Sequence, residues 1–170
     1  GIEGRGGDDY LYGDAGADTL DGGSGNDQLD GGAGNDTYLF ARGYGQDTIY
    51  ETSGTDTVRF AAGITAADVF VWRDDINYYF DLVGTNDRLT VDNWYSGSTY
   101  RIENAEFADG TVWNSSVLNS KTTTASEYAD FYWGTASANT YDGLAGDDRI
   151  FGFGGNDTLR GGDGNDFIDG

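Results

Sequence analysis

The chain has 170 residues, which allows one or two domains, and a formal charge of -21 that disfavours nucleic acid and anionic membranes as partners. It contains no Cys, so an extracellular fold needs a staple other than disulfides, such as metal, and no His, which removes the commonest general base and the usual transition-metal ligand. No apolar run approaches the ~20 residues of a membrane helix.

The acidic residues are lopsided: of the 30, 25 are Asp and five are Glu. A generic acidic surface would mix the two, whereas short-armed Asp suits a tight metal turn. Met is absent, so the sequence reads as an excised piece of a longer chain.

Residues 1–12 already carry a nine-residue phase. Gly4 to Tyr12 places Asp9 sixth and Leu11 eighth, and Ile2 falls where the preceding unit needs its apolar residue. Ile2-Glu3-Gly4-Arg5 resembles an engineered protease site, but the period runs straight through it, so it is read as native sequence.

The unit then repeats three times without a gap: GDAGADTLD (Gly13 to Asp21), GGSGNDQLD (Gly22 to Asp30) and GGAGNDTYL (Gly31 to Leu39). Asp is always sixth, a large apolar residue (Leu20, Leu29, Tyr38) always eighth, and Gly always first and fourth. A fixed period of this kind indicates a stacked-repeat architecture. Segments such as Thr19-Leu20-Asp21 suffice for a minimal strand with one inward side chain, and the Gly-dense residues before them can turn sharply.

If each nine-mer is half a coil, residues 18 apart stack about 4.7 Å from one another. Asp18 then lies over Asp36, and Asp9 over Asp27. Such carboxylates repel unless a cation lies between them. Ca²⁺ takes about 6 to 8 oxygens at about 2.3–2.6 Å, half the strand spacing, whereas small Mg²⁺ fits poorly. A flexible linker would not keep an apolar residue at every ninth place.

These repeats match the pattern G-G-x-G-x-D-x-U-x and resemble RTX proteins, the haemolysin-type calcium-binding family exported by bacterial type I secretion. The resemblance implies a secreted bacterial protein with a calcium-stacked parallel β-roll. Its partners would be calcium ions and the type I secretion machinery, with extracellular glycans or neighbouring RTX blocks as further candidates.

Beyond Leu39 the period resumes after a two-residue slip, with Gly43 to Ile49 and Gly54 to Val58 keeping the Asp and the apolar residue. Asp47 is expected to stack on the Asp27 loop and Asp56 on the Asp36 loop. From Phe60 to Leu118 the period is lost. Thr65-Ala66-Ala67-Asp68 has the form of a capping box and predicts a short helical turn. Strands are predicted over Val69 to Arg73, Asn77 to Val83, Arg88 to Trp94, Tyr100 to Phe107 and Thr111 to Trp113, with Asp109-Gly110 as a hairpin signal.

Tyr78, Phe80 and Leu82 fall on one face, which suits an antiparallel meander packed on a core. Asn114 to Ser120 is expected to form a closing turn. Trp72, Trp94, Tyr95 and Trp113 could stack on sugar rings, but aromatics in strands of a small domain are more often core. DTYLFARGYGQDTIYE, GTNDRLTVDNWY and YRIENAEFADGTVW resemble the segment found between RTX blocks, notably in the adenylate cyclase toxin. That resemblance implies a cap over the open edge of a roll, which a solenoid needs for solubility.

Lys121 to Ala129 is polar, and the period returns at GTASANTYD (Gly134 to Asp142), GLAGDDRIF, GFGGNDTLR and GGDGNDFID (Gly161 to Asp169). The expected fold is all-β: a first roll over 1–59, a small, mostly antiparallel capping domain over 60–120, a linker or degenerate coil over 121–133, and the start of a second, truncated roll over 134–170.

The family's ligand pattern takes both sixth-position carboxylates, the carbonyls of the second and fourth residues of the earlier loop, and those of the first and third residues of the later loop. By resemblance, one ion is held by Arg5, Gly7, Asp9, Gly22, Ser24 and Asp27, and another by Asp14, Gly16, Asp18, Gly31, Ala33 and Asp36. Gly23, Gly25 and Asp27 face Arg42, Tyr44 and Asp47, while Gly32, Gly34 and Asp36 face Glu51, Ser53 and Asp56. In the second roll Leu144, Gly146 and Asp148 face Gly161, Asp163 and Asp166. Gly152, Gly154 and Asp157 face Thr135, Ser137 and Asn139, a loop whose Ser137 and Asn139 depart from the motif. No nucleophile and base are paired, so no catalysis is expected. The alternative is an extracellular polysaccharide- or surface-binding roll of the adhesin or epimerase type.

Overall fold

One apolar side chain per nine residues can be buried only if successive coils stack it in a column, and that is the arrangement found. The computed structural model describes residues 1–74, 76–122, 125 and 129–170. It divides into two compact units, one of Gly1–Phe70 and Ile76–Leu118, the other of Val71–Asp75 and Asn119–Gly170.

The first unit holds β1 (Ile2–Glu3), β2 (Tyr10–Tyr12), β3 (Thr19–Asp21), β4 (Gln28–Ala33), β5 (Thr37–Phe40), β6 (Gln46–Ser53) and β7 (Thr57–Phe60). Alternate strands pair in parallel on two sheets. Leu11 stands opposite Leu29, and Leu29 opposite Ile49. On the other sheet Leu20 stands opposite Tyr38, and Tyr38 opposite Val58. Leu20, Leu29, Tyr38, Ile49 and Val58 are all 0% exposed. The pairing interval is 18 residues between β2 and β4 and 20 between the equivalent Asp residues of β4 and β6, as the slip after Leu39 requires. The extra residues lie in the turn ahead of β6, where the Tyr44 N–H donates to the Ala41 carbonyl, because the interval is already 20 at Gly25 with Gly45 and at Gln28 with Thr48; separate register shifts flank Gly32.

After a 3₁₀ turn (Ala66–Asp68) come β8 (Val69–Arg73), β9 (Tyr78–Leu82), β10 (Arg88–Val91), β11 (Asn104–Glu106) and β12 (Val112–Asn114). The Asp68 carboxylate accepts from the N–H and the hydroxyl of Thr65, as the capping box anticipates. The single meander expected here is instead shared between the roll's two sheets. β10 pairs in parallel with β6 and antiparallel with β9, and β11 pairs in parallel with β7 and antiparallel with β12. The Asp109-Gly110 turn closes the second hairpin, with Gly110 at φ 88°.

Three local expectations are corrected. The strand from Arg88 stops at Val91 because Asn93 takes a left-handed φ of 56°, and Asn93 accepts a turn bond from Ser96. Tyr100 belongs to a 3₁₀ turn (Ser98–Tyr100) that precedes the short β11. Asn114 to Ser120 is not a turn but leads into α1 (Ser115–Lys121), because the Asn114 side-chain oxygen accepts from the Ser116 and Val117 N–H groups and starts the helix.

The core of the middle segment is aromatic. Phe60 stacks on Phe107 at 4.9 Å, Tyr78 on Trp94 at 4.3 Å, and Phe107 meets Trp113 edge-on at 4.7 Å. Tyr78, Phe80 and Leu82 are buried together on one face, and Trp94 and Trp113 are buried as well. Those two tryptophans are core side chains and cannot serve as a sugar platform.

The second unit contains β13 (Phe131–Trp133), β14 (Thr140–Asp142), β15 (Arg149–Phe151), β16 (Thr158–Arg160) and β17 (Phe167–Asp169), again in two parallel sheets. The stretch expected as a linker or degenerate coil falls partly on residues 123, 124 and 126–128, outside the described set. Its end is β13, which pairs in register with β15.

Candidate metal centre

The loops between strands stack as the strands do. Position three of each loop bridges position three of the next, as at Gly6 with Ser24 and Ala15 with Ala33. Glycine is needed here for a reason visible at position four. Gly34 lies at φ 142°, and a Cβ there would overlap the Gly16 carbonyl. Gly25 bears the same relation to Gly7. The carbonyls of positions two and four are therefore packed against bare backbone of the following loop. At position two the left-handed turn is imposed even on Arg5 (φ 80°) and Asp14 (φ 67°).

The sixth-position carboxylates form a ladder. The Asp9 N–H donates to Asp27 Oδ1 at 2.8 Å, and the Asp27 N–H to Asp47 Oδ1 at 2.9 Å. On the other side the Asp18 N–H donates to Asp36 Oδ1 and the Asp36 N–H to Asp56 Oδ1, both at 2.8 Å. Each bond spends one carboxylate oxygen and aims the other inward. Asp9, Asp27, Asp36, Asp47, Asp56 and Asp148 each keep a buried Oδ2 that accepts no hydrogen bond among the described residues. Stacked, buried and unpartnered carboxylate oxygens beside turned-in carbonyls form a donor set for a hard cation, and hard oxygens at this density fit calcium.

The first predicted group is assembled around Asp9 and Asp27. Ser24 donates to the Arg5 carbonyl at 2.9 Å and Gly7 to the Ser24 carbonyl at 2.8 Å, while the Gly22 carbonyl lies beside Gly4 and Asp9. The second repeats this geometry, with Ala33 donating to Asp14 and Gly16 to Ala33, both at 2.8 Å, and Gly31 packed on the Asp36 carboxylate. In the third, Gly25 donates to the Tyr44 carbonyl at 2.8 Å and Gly23 follows the Arg5 turn. The Arg42 guanidinium itself leaves for Asp68 and the Val83 carbonyl. In the fourth, Gly34 donates to the Ser53 carbonyl at 3.0 Å, and Gly32 is opposite Glu51.

In the second unit Asp163 donates to the Leu144 carbonyl at 2.9 Å, Gly146 donates to the Asp163 carbonyl at 2.8 Å, and Asp148 donates to Asp166 at 3.1 Å. Gly161 packs on the Asp166 carboxylate. The loop of Thr135, Ser137 and Asn139 is different. Asn139 donates its N–H to Asp157, but its side-chain oxygen is turned back onto the Thr135 N–H at 2.7 Å. Among the described residues no main-chain hydrogen bond ties 135–137 to Gly152 or Gly154.

Three contributors, Asp130, Glu103 and Asp87, lie outside the sequence reading, which includes Glu51 for its carbonyl but not for its side chain. Asp130 donates its N–H to Asp148 Oδ1 at 2.8 Å and is the sixth residue of a further coil, a signal available from its 18-residue spacing. Glu103 takes the Asp56 N–H at 2.7 Å, as the next repeat's Asp would, and Asp87 takes those of Gly43 and Gly45. No periodicity announces either. The Glu51 side chain turns into the fourth group beside Asp36 and Asp56.

Burial, followed by repulsion from neighbouring carboxylates, pushes these groups up: Asp47 to about 7, Asp56 to about 6 and Glu51 to about 8, with Asp27, Asp36 and Asp148 also raised. Raised folded-state values mean that the metal-free fold gains stability below the unfolded values near 4 and loses it as pH rises through 6–8. Metal needs the same groups ionised, so affinity should rise across that window and binding at pH 7 should release protons. Calorimetry in two buffers of different ionisation heat reads that release, and identical heats in both would contradict it.

Residues 3–38 and 133–168 match the RTX calcium-binding nonapeptide repeat (4 copies), and residues 79–116 match the haemolysin-type calcium binding protein related domain. The chain is also 36% identical over 83 residues to the iron-regulated protein FrpA of Neisseria meningitidis serogroup C, across 45% of this chain and 7% of that protein. No helix among the described residues is long and apolar enough to cross a membrane. Residues 3–38 and 133–168 of this chain are thus RTX calcium-binding nonapeptide repeats, and they bind Ca²⁺ at several sites.

Proposed function

We propose that this chain is a calcium-triggered folding module of an exported bacterial protein, with no catalysis of its own. The sixth-position carboxylates and the loop carbonyls assigned above hold the ions. The supporting observation is the row of buried Asp Oδ2 atoms without partners, stacked coil on coil. Without a cation these charges oppose stacking, and one apolar side chain per half-coil is thin support for so much ordered glycine backbone. Ions that bind only the folded form reverse the balance by mass action.

Extracellular modules bind Ca²⁺ at about 10⁻⁴–10⁻³ M, so the chain stays expanded where free calcium is low and folds where it is high. That property suits type I export, in which folding outside the cell hinders return. It places this segment in a secreted parent whose activity lies elsewhere. Far-UV circular dichroism tests the reading: a β spectrum in 10 mM CaCl₂, about ten or more times those dissociation constants, should give way to a coil spectrum in EDTA. A chain fully folded in EDTA would refute it.

A second reading rests on the outer face of the second unit. Phe153 and Phe167 are exposed, Trp133 lies 4.9 Å from Phe153, and Phe151 lies 5.5 Å from Phe167. Such an aromatic surface suits an extracellular polysaccharide. Glycan-array binding lost on Phe153→Ala would favour this reading.

A further inference from the structure

Glu51 stands at the first position of its loop, where Gly22 and Gly31 stand in the preceding coils. Those glycines leave no room for a side chain: a Cβ on Gly31 would overlap both the Asp36 carboxylate and the Tyr38 hydroxyl. One coil further along, the register shift on either side of Gly32 moves the strand out of that crowding, and a side chain is accommodated. It points the same way. The Tyr38 hydroxyl accepts the Gly31 N–H at 2.9 Å and donates to Glu51 Oε1, while the Thr52 N–H holds Oε2 at 3.0 Å.

The result is a buried cluster of three carboxylates. Asp36, Glu51 and Asp56 are each 2% exposed or less, and one oxygen from each lies within 4.8 Å of the other two. That span is about twice a Ca–O bond. Asp36 Oδ2 and Asp56 Oδ2 are buried and accept nothing, and among the described residues no Lys or Arg forms an ion pair with any of the three. The stacked pairs Asp9 with Asp27, Asp18 with Asp36, Asp27 with Asp47 and Asp148 with Asp166 bring two sixth-position carboxylates each, and the Asn139–Asp157 pair brings one. Here a third acidic arm is fixed by a tyrosine, a main-chain N–H and the bulge.

We infer that the Glu51 carboxylate is itself a metal ligand, making Asp36, Glu51 and Asp56 a three-carboxylate calcium site that binds more tightly than the two-carboxylate sites of the rolls. The inference rests on the calcium reading of the stacked loops and adds a side-chain ligand to it. The extra anionic oxygen raises affinity for Ca²⁺, and for trivalent lanthanides still more, because attraction grows with the product of the charges. Occupied first, this site orders the last coil of the first roll before the coils that lean on it.

The test is a calcium titration of the full chain by calorimetry. Wild type should show one tight ion ahead of a weaker class. Glu51→Gln should weaken the tight ion by about tenfold or more, as loss of a ligand charge does. Asp8→Asn, whose exposed carboxylate accepts from Asn26 and which is in no ligand set, should leave it unchanged. A tight ion that survives Glu51→Gln unaltered overturns the assignment of Glu51 while leaving the calcium reading intact, whereas a wild type that binds no calcium overturns both.

Should Glu51→Gln fail to fold in saturating calcium, the wild-type chain decides with europium(III) as probe, whose ligand-charge-sensitive excitation band moves to lower energy with each anionic ligand. The first equivalent bound should lie at lower energy than those that follow. Coincident bands would overturn the proposal.

Discussion

Asp36→Ala is expected to abolish calcium binding at two neighbouring loop pairs at once and to leave the first roll unfolded at calcium concentrations that fold the wild type. Asp36 is shared. Its Oδ1 takes the Asp18 N–H, its own N–H donates to Asp56, and its Oδ2 is buried without a partner beside Asp56 and Glu51. Truncation leaves the Asp18 N–H without its acceptor, at about 1–3 kcal/mol. Each lost ion costs a further ~2.7 kcal/mol when calcium exceeds its dissociation constant about a hundredfold. Together these approach the whole stability of an ordinary domain. Calcium stoichiometry and thermal melting of the full chain check this. The control is Asp8→Ala, whose exposed carboxylate accepts, among the described residues, only from Asn26 on the outer rim of the loops and which should keep every ion. An Asp36→Ala chain that loses no ion would contradict the sharing.

Gly34→Ala is expected to be nearly as damaging, for a steric reason. Gly7 and Gly34 occupy the same fourth position and both have left-handed φ, 104° and 142°. A Cβ on Gly7 would meet nothing within 4 Å, whereas one on Gly34 would overlap the Gly16 carbonyl oxygen of the coil beneath. Gly7→Ala therefore costs only the left-handed strain, about 1–2 kcal/mol. Gly34→Ala adds a backbone collision that can be relieved only by prising two coils apart, which opens the Asp18–Asp36 pair as well. A loss of more than about 4 kcal/mol is the scale for such a change. The calcium midpoint of folding should shift slightly for Gly7→Ala and move by at least tenfold for Gly34→Ala. Equal shifts in the two variants would show that the coils are not in contact there.

What was legible in the sequence was whatever the period carries. The eighth-position side chains Leu20, Leu29 and Tyr38, the sixth-position Asp ladder and the two-residue slip that sets Asp47 over Asp27 and Asp56 over Asp36 all follow from counting, because a solenoid converts sequence interval into spatial contact. The middle segment breaks that conversion. Its strands were recognisable by alternation, as Tyr78, Phe80 and Leu82 show, but their partners were not. β10 joins β6 and β11 joins β7 across long intervals that no local pattern encodes.

The same limit hid Glu103, which takes the Asp56 N–H as a further repeat's carboxylate would, and Asp87, which takes the N–H groups of Gly43 and Gly45 instead. Asp130 was legible in principle, since it lies one full coil before Asp148. Glu51 was assigned by position to a main-chain role. Only the bulge at Gly32 reveals that its side chain has room to turn inward.

Anomalous diffraction from crystals of the full chain grown in millimolar CaCl₂ tests the central claim most directly. The expected result is a calcium peak between each stacked pair of Asp carboxylates, including Asp9 with Asp27, Asp18 with Asp36 and Asp148 with Asp166, at about 2.3–2.6 Å from their free oxygens. Ordered loops with those positions empty of calcium would contradict it.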